Sequence, residues 1–233
     1  MTTGRFYGLG LGPGDPELVT LKALRLLRAA AVVAYPAPET GDSFARNIVA
    51  EWLDKGQREI VIPFPMRPGP PPAAIYERAA AELAAIMDGG EDIAYLCQGD
   101  PLFYGSFAGI LTRLAARYRV TVVPGVSSLT ACAAAAAMPL AQRDRTLSVI
   151  PASLPEDELA ARLAQVDAAA IIKLGRHFEQ LRRVLLRLGL LDGAIYVERA
   201  SLPNQLVAPL ATVDPARVPY FATALVWRRM PGP

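Results

Sequence analysis

Short apolar runs alternate with runs of helical period through the first half of the chain, and nothing constrains its fold more. Phe6-Tyr7-Gly8-Leu9-Gly10-Leu11-Gly12 reads as a buried strand entering a glycine-rich turn. Asp15 then caps a helix with Pro16 at its first position, carrying Leu18, Leu21, Leu24 and Leu27 at three-residue spacing. Strands follow at 31–35 and 59–62, with a helix between them capped by Ser43 and bearing Phe44, Ile48 and Trp52. Residues 63–72 hold six prolines, which predicts a stiff extended loop outside regular structure. A helix over 73–87, a strand over 92–97, a helix reaching 118 and a strand over 120–123 complete the pattern. Short strands joined by helical crossovers require a parallel sheet covered on both faces.

The second half is built differently. A small-residue helix over 127–137 precedes strands at 147–150, 169–174 and 195–197, with a helix over 176–188. Beyond Ala200 the pattern is strand-rich and ends in an apolar run over 221–227, which fits a mixed sheet. The expected architecture is therefore two α/β domains, 1–124 with a mainly parallel sheet and 125–233 with a mixed one.

Composition removes several chemistries. Cys97 and Cys132 stand far apart and His177 is the one histidine, so neither a Cys/His zinc site nor a Ser-His-Asp triad is expected. No metal site is assigned. A net charge of +2 argues against a nucleic-acid clamp. The first residues show no signal-peptide pattern, and the longest apolar stretch, 129–141, contains Pro139 and is too short for a bilayer. A cytoplasmic protein with no membrane or nucleic-acid partner is expected. Lysine supplies only Lys22, Lys55 and Lys173 of the 24 basic residues, leaving 21 arginines, the side chain that grips carboxylates in two-pronged fashion.

Three turns carry the chemistry. The first is Gly8-Leu9-Gly10-Leu11-Gly12-Pro13-Gly14-Asp15. A dinucleotide fingerprint beginning at Gly8 needs glycine where Pro13 stands, and one beginning at Gly10 needs glycine where Asp15 stands. No phosphate-cradling G-x-x-x-x-G-K-[ST] sequence occurs either. What remains is a strand end where backbone must approach something closely. The second turn, Gln98-Gly99-Asp100-Pro101-Leu102-Phe103-Tyr104-Gly105, delivers a carboxylate, a rigid proline and two aromatics to a strand end. The third, Val122-Val123-Pro124-Gly125-Val126-Ser127-Ser128, ends in hydroxyls and free backbone N–H groups at a helix start. Open α/β sheets bind ligands at this carboxyl edge.

In this order the turns resemble the tetrapyrrole (precorrin) methylase family, joined by Ile171-Ile172-Lys173-Leu174-Gly175-Arg176 and Tyr196-Val197-Glu198-Arg199-Ala200-Ser201. Finer features (Ala34-Tyr35-Pro36, Phe64-Pro65-Met66, the run 149–153 and the ending 220–228) are similar to the branch that methylates C20 of precorrin-2 to give precorrin-3A. The resemblance implies the class III methyltransferase fold, with the active site in a cleft between the domains, and a homodimer. The apolar tail with Phe221, Leu225 and Trp227, more than a small second domain easily covers, points to the same dimer. It implies S-adenosyl-L-methionine (SAM) as cofactor, leaving as S-adenosyl-L-homocysteine. Transferred motif by motif, Pro13, Gly99, Asp100, Phe103, Ser127, Ser128, Leu174 and Ala200 would contact the cofactor. Tyr104 would face the reacting centre, and Phe64, Met66, Arg67, Arg176 and Arg199 the tetrapyrrole with its carboxylates. Siblings acting at another corrin position, or on the cobalt-bearing substrate of the anaerobic route, remain alternatives. One departure stands out: relatives that methylate uroporphyrinogen carry an aspartate where this chain has Pro36, so their general base does not transfer.

Overall fold

The structure, a computed structural model, describes residues 3–65 and 71–228. The chain forms two compact units, Met1–Ser127 and Ser128–Pro233.

In the first unit β1 (Phe6–Gly10), β2 (Val32–Pro38), β3 (Arg58–Phe64), β4 (Ile93–Cys97) and β5 (Val120–Val123) form one sheet in the order β3-β2-β4-β1-β5. Every pairing in it is parallel. Strand pleating sends alternate residues to opposite faces. Tyr7 and Leu9 pack with Leu27 of α1 (Leu21–Ala29) and Ile48 of α2 (Phe44–Ile48). Phe6 and Tyr95 pack with Leu83 of α3 (Ala73–Asp88) and Ile110 of α4 (Phe107–Leu114) on the other face. Both faces are thus covered, and all residues of β1 and β4 are buried.

Two local expectations are corrected. Asp15 caps only a short 3-10 turn, Pro16–Leu18; the α-helix begins afterwards, with the Thr20 hydroxyl accepting from the Ala23 N–H. Leu21 is 86% exposed, while Ala23 and Leu27 reach the core. At 3.6 residues per turn, leucines every third residue sweep around the helix, whereas an i, i+4 pair keeps one face. The proline-rich stretch also begins later than expected, because Pro63 and Phe64 are the last residues of β3. β3 is an edge strand, where proline's missing N–H removes no ladder bond.

In the second unit β6 (Leu147–Pro151), β7 (Ala168–Ile172), β8 (Ile195–Glu198), β9 (Leu206–Pro209) and β10 (Ala222–Trp227) are ordered β6-β7-β10-β8-β9. β6 and β7 are parallel, and the remaining pairs antiparallel. This is the mixed sheet expected. On one face Leu159 of α6 (Glu156–Leu163) and Leu181 of α7 (Phe178–Arg187) pack on Ile171 and Tyr196. On the other, Leu129 and Cys132 of α5 (Ser128–Ala135) pack on Ala170, Val197, Leu225 and Trp227. Helix α6 is not announced by periodicity, since only Leu159 and Leu163 of its eight residues are buried. Among the described residues no helix is long and apolar enough to cross a membrane.

Candidate functional site

β1, β4 and β5 are parallel neighbours, so their carboxyl ends open on one edge of the first sheet. Three glycines there bring the backbones into direct contact. A Cβ on Gly10 would collide with Gly125 and lie 2.9 Å from the Gly99 carbonyl, and one on Gly125 would lie 2.8 Å from Gly10 Cα. A Cβ on Gly8 would run into the Phe107 ring. The glycine repeat is thus a packing requirement at positions 8 and 10. Beyond the strands the first two turns zip together: Gly99 N–H donates to the Gly12 carbonyl (2.7 Å) and Leu11 N–H to the Cys97 carbonyl (2.9 Å).

Asp100 fastens the second turn to the third. One carboxylate oxygen accepts from the Leu102 N–H at 2.9 Å, and the other from the Gly125 N–H at 3.1 Å. Next to it Gly99 has φ +67° and open space where a Cβ would stand. Phe103 and Tyr104 are 37% and 50% exposed, ring centroids 5.0 Å apart and edge-on. Tyr104 holds φ +56°, a left-handed conformation that disfavours a side chain. Pro13 is buried in the first turn. Ser127 precedes α5 and Ser128 is its first residue.

Among the expected substrate contacts of the first unit, Phe64 is committed to the core: it is 8% exposed and packs edge-on against Tyr76 at 5.4 Å. It offers no open apolar surface. Met66 and Arg67 lie outside the described residues. At Pro36 the carbonyl accepts from Ser43 Oγ at 2.7 Å. The nearest acid on the neighbouring strand, Glu59, is held by Arg46 (3.0 Å) and by the Tyr35 hydroxyl (2.7 Å). Hydrogen bonding from Arg46 keeps its carboxyl below the usual range, which suits an ion pair and not a base.

In the second unit, β10 lies between β7 and β8, antiparallel to both. The carboxyl ends of β7 and β8 therefore flank the start of β10. Lys173, Arg199 and Ser201 all have positive φ there, +61°, +50° and +73°. Leu174 and Ala200 have buried side chains, so any ligand contact they make is through their main chain. Arg176 and Arg199 are exposed. Arg176 Nε donates to His177 Nε2 at 3.3 Å; burial first, then the Arg176 charge, lowers the imidazole pKa. Arg199 Nη1 donates to Glu198 at 3.0 Å, and Glu198, itself buried, accepts a short hydrogen bond from the Tyr196 hydroxyl. Burial and this carboxylate raise the Tyr196 pKa.

The strained non-glycine positions were invisible in sequence, because nothing in a Lys, Arg or Tyr signals left-handed backbone. Tyr220 and Phe221 stood out in sequence only as part of the apolar ending; their exposure just before β10, and the sheet register that brings Phe221 beside Arg199, come from the fold. Among the described residues no group of His, Cys, Asp or Glu side chains is placed to hold a metal ion.

The sequence profile of the tetrapyrrole (corrin/porphyrin) methylases matches residues 5–214. The chain is 45% identical over 232 residues to the cobalamin biosynthesis protein CobIJ of Mycobacterium tuberculosis, covering 96% of this chain but 46% of that protein. It thus spans about half the length of that relative. It is 39% identical over 239 residues to a precorrin-2 C(20)-methyltransferase of Sinorhizobium sp., covering 98% of both. A uroporphyrin-III C-methyltransferase from Thermus thermophilus, solved with S-adenosylhomocysteine, superposes with a TM-score of 0.70 at 26% identity, over 97% of this chain and 98% of that one.

Proposed function

Since the chain belongs to the tetrapyrrole (corrin/porphyrin) methylase family, we propose that it is a SAM-dependent methyltransferase of cobalamin biosynthesis that methylates C20 of precorrin-2. The match to the Sinorhizobium enzyme carries this reading, because it covers 98% of both chains. The methyl donor is SAM, supported by the S-adenosylhomocysteine complex of the Thermus relative.

The residues present fit that cofactor. Gly99 leaves open space where a Cβ would stand, at an edge where three strand ends converge. When bound, SAM supplies a methyl group activated by a sulfonium. Gly99, Phe103 and Ser127 are assigned to it in the first unit, with Pro13 shaping the turn from its buried position. Asp100 holds the second and third turns in register through its two main-chain bonds. In the second unit Ser128 and the main chain of Leu174 and Ala200 are assigned to the cofactor. Tyr104 is assigned to the reacting face. Methyl displacement demands alignment and exclusion of water more than a strong acid or base. A chain with Pro36 at the aspartate position and an ion-paired Glu59 nearby is consistent with that demand.

The expected homodimer is also a proposal, and its sequence rationale changes. Of the apolar tail, Phe221 is exposed, but Leu225 and Trp227 are buried within their own unit, with the indole N–H donating to the Pro139 carbonyl, so these two offer nothing to a partner. Edge strand β9 instead exposes Leu206 and Val207. Light scattering that gives a monomer mass at micromolar concentration would remove the dimer.

The test of the activity is incubation with precorrin-2 and SAM carrying a ¹³C methyl, with the label located by NMR. Label on C20 is expected. Label elsewhere overturns the regiochemistry, and no transfer overturns the activity. The same assay with the cobalt-bearing substrate separates the two biosynthetic routes.

A further inference from the structure

The start of β10 presents an apolar pair where the rest of the strand is sealed. Ala222 through Trp227 are all buried, yet Tyr220 and Phe221 immediately before them are 52% and 49% exposed. Their rings stand edge-on, centroids 5.3 Å apart. Exposed aromatic rings side by side offer a large apolar area with a polar tip, the composition in which contact surfaces are enriched.

The neighbours define what the pair could contact. The Arg199 N–H reaches the Phe221 carbonyl at 3.4 Å, because β8 and β10 pair with Glu198 opposite Ala222. On the other side Gly175 lies against Tyr220, where an added Cβ would sit 3.6 Å from Tyr220 Cα. The aromatic pair is therefore bracketed by the segments bearing Arg176 and Arg199. Each arginine is steadied by one bond to its sequence neighbour, to His177 and to Glu198, and a guanidinium carries N–H donors beyond that one. An exposed aromatic pair bracketed by two segments that each carry an exposed arginine is complementary to a flat, conjugated molecule with carboxylates on its rim. The same charge is unfavourable for a sulfonium.

We propose, on the methyltransferase reading above, that Tyr220 and Phe221 form a platform for the tetrapyrrole face, with Arg176 and Arg199 pairing with its peripheral carboxylates. The exposed rings then bear on substrate affinity, while the adjoining Leu174 and Ala200, whose side chains are buried, meet the cofactor through their main chain.

The variants are Tyr220→Ala, Phe221→Ala and the conservative Tyr220→Phe. Each is compared with the parent for KM toward precorrin-2, affinity for S-adenosylhomocysteine by calorimetry, and mass by light scattering. Binding of uroporphyrin III, a stable octacarboxylate, is read by fluorescence quenching, and melting curves confirm that each variant folds. Each alanine variant should raise KM and the uroporphyrin Kd about tenfold, a change of about 1.4 kcal/mol. Tyr220→Phe should restore both, and S-adenosylhomocysteine affinity should not move. An equal fall in S-adenosylhomocysteine affinity would make the pair an adenine shelf and overturn the proposal. So would loss of a dimer in the alanine variants, or a uroporphyrin Kd the same as the parent's. If the parent binds uroporphyrin through this pair but fails to methylate precorrin-2, the activity reading falls while the platform stands.

Discussion

Replacing Asp100 tests whether its carboxylate acts mainly on the protein or on the cofactor. Its two oxygens accept from the Leu102 and Gly125 N–H groups, joining turns that follow β4 and β5. A hydrogen bond to a charged group contributes about 1.5–3 kcal/mol, and partial exposure of Asp100 favours the lower end. Asp100→Ala removes both bonds and should cost the first unit about 3 kcal/mol. Asp100→Asn keeps one acceptor oxygen and should cost about half as much. The assay is built into the chain, whose two tryptophans, Trp52 and Trp227, lie one in each unit. In a Trp227→Phe background, urea unfolding followed by Trp52 fluorescence reads the first unit alone, and the midpoint shift at constant slope gives the loss. S-adenosylhomocysteine affinity should fall in the same order, Ala beyond Asn. A direct ionic contact would instead make the two variants equally poor binders with little loss of stability. An Asp100→Ala midpoint identical to the parent's would refute the clamp.

Four further outcomes follow from the packing and electrostatics of the two units. Gly125→Ala places a Cβ against the backbone of Gly10 and Gly99 and should abolish the native fold by circular dichroism. Gly99→Ala meets open space at φ +67°, so it should cost only about 1–2 kcal/mol in denaturation while cutting S-adenosylhomocysteine affinity sharply. The single histidine should titrate below 6.5 in proton NMR, and Arg176→Ala should move its midpoint up. The folded state then binds this proton less readily than the unfolded chain, so its stability contribution is complete above pH 6.5 and is lost as pH falls below it; urea midpoints in a His177→Gln variant should lack that part of the acid dependence. Burial lifts the Cys132 thiol to about 11 and Cys97 well above its usual value, so neither should react with Ellman's reagent at pH 8 until urea unfolds its unit.

The strand ends were legible because glycine spacing and apolar runs there report on backbone contact that no other residue type permits. Gly8 and Gly10 answer to a ring and a neighbouring turn, and both show in the sequence as a repeat without a nucleotide fingerprint. What misled were local patterns that tertiary packing overrode. The leucine series beginning at Leu18 matched a three-residue spacing that a 3.6-residue helix cannot keep on one face. Pro63 looked like a loop residue until β3 proved to be an edge strand. Leu225 and Trp227 looked like excess apolar surface, but the helix of small residues after Ser127 packs against them. Each error came from counting residues on one segment without knowing which segment would cover it.

The two units meet the same demand, main chain brought to a sheet edge, by different means. In the first, glycines let three parallel strand ends touch, and positive φ falls mostly on glycine: Gly12 and Gly99, with Tyr104 the exception. In the second, the left-handed positions at the ends of β7 and β8 are occupied by Lys173, Arg199 and Ser201. Such positions cost about 1–2 kcal/mol each over an ordinary conformation, and glycine would remove that cost. A fold selected for stability alone would favour glycine there. The side chains kept at Tyr104 and Arg199 are instead those with an exposed ring and an exposed guanidinium, and Arg199 is further held by a buried carboxylate. Among the described residues, four of the six non-glycine positions with positive φ, Tyr104, Lys173, Arg199 and Ser201, lie at these sheet edges, in segments that also carry Leu174, Arg176 and Ala200, which supports the ligand contacts proposed for them.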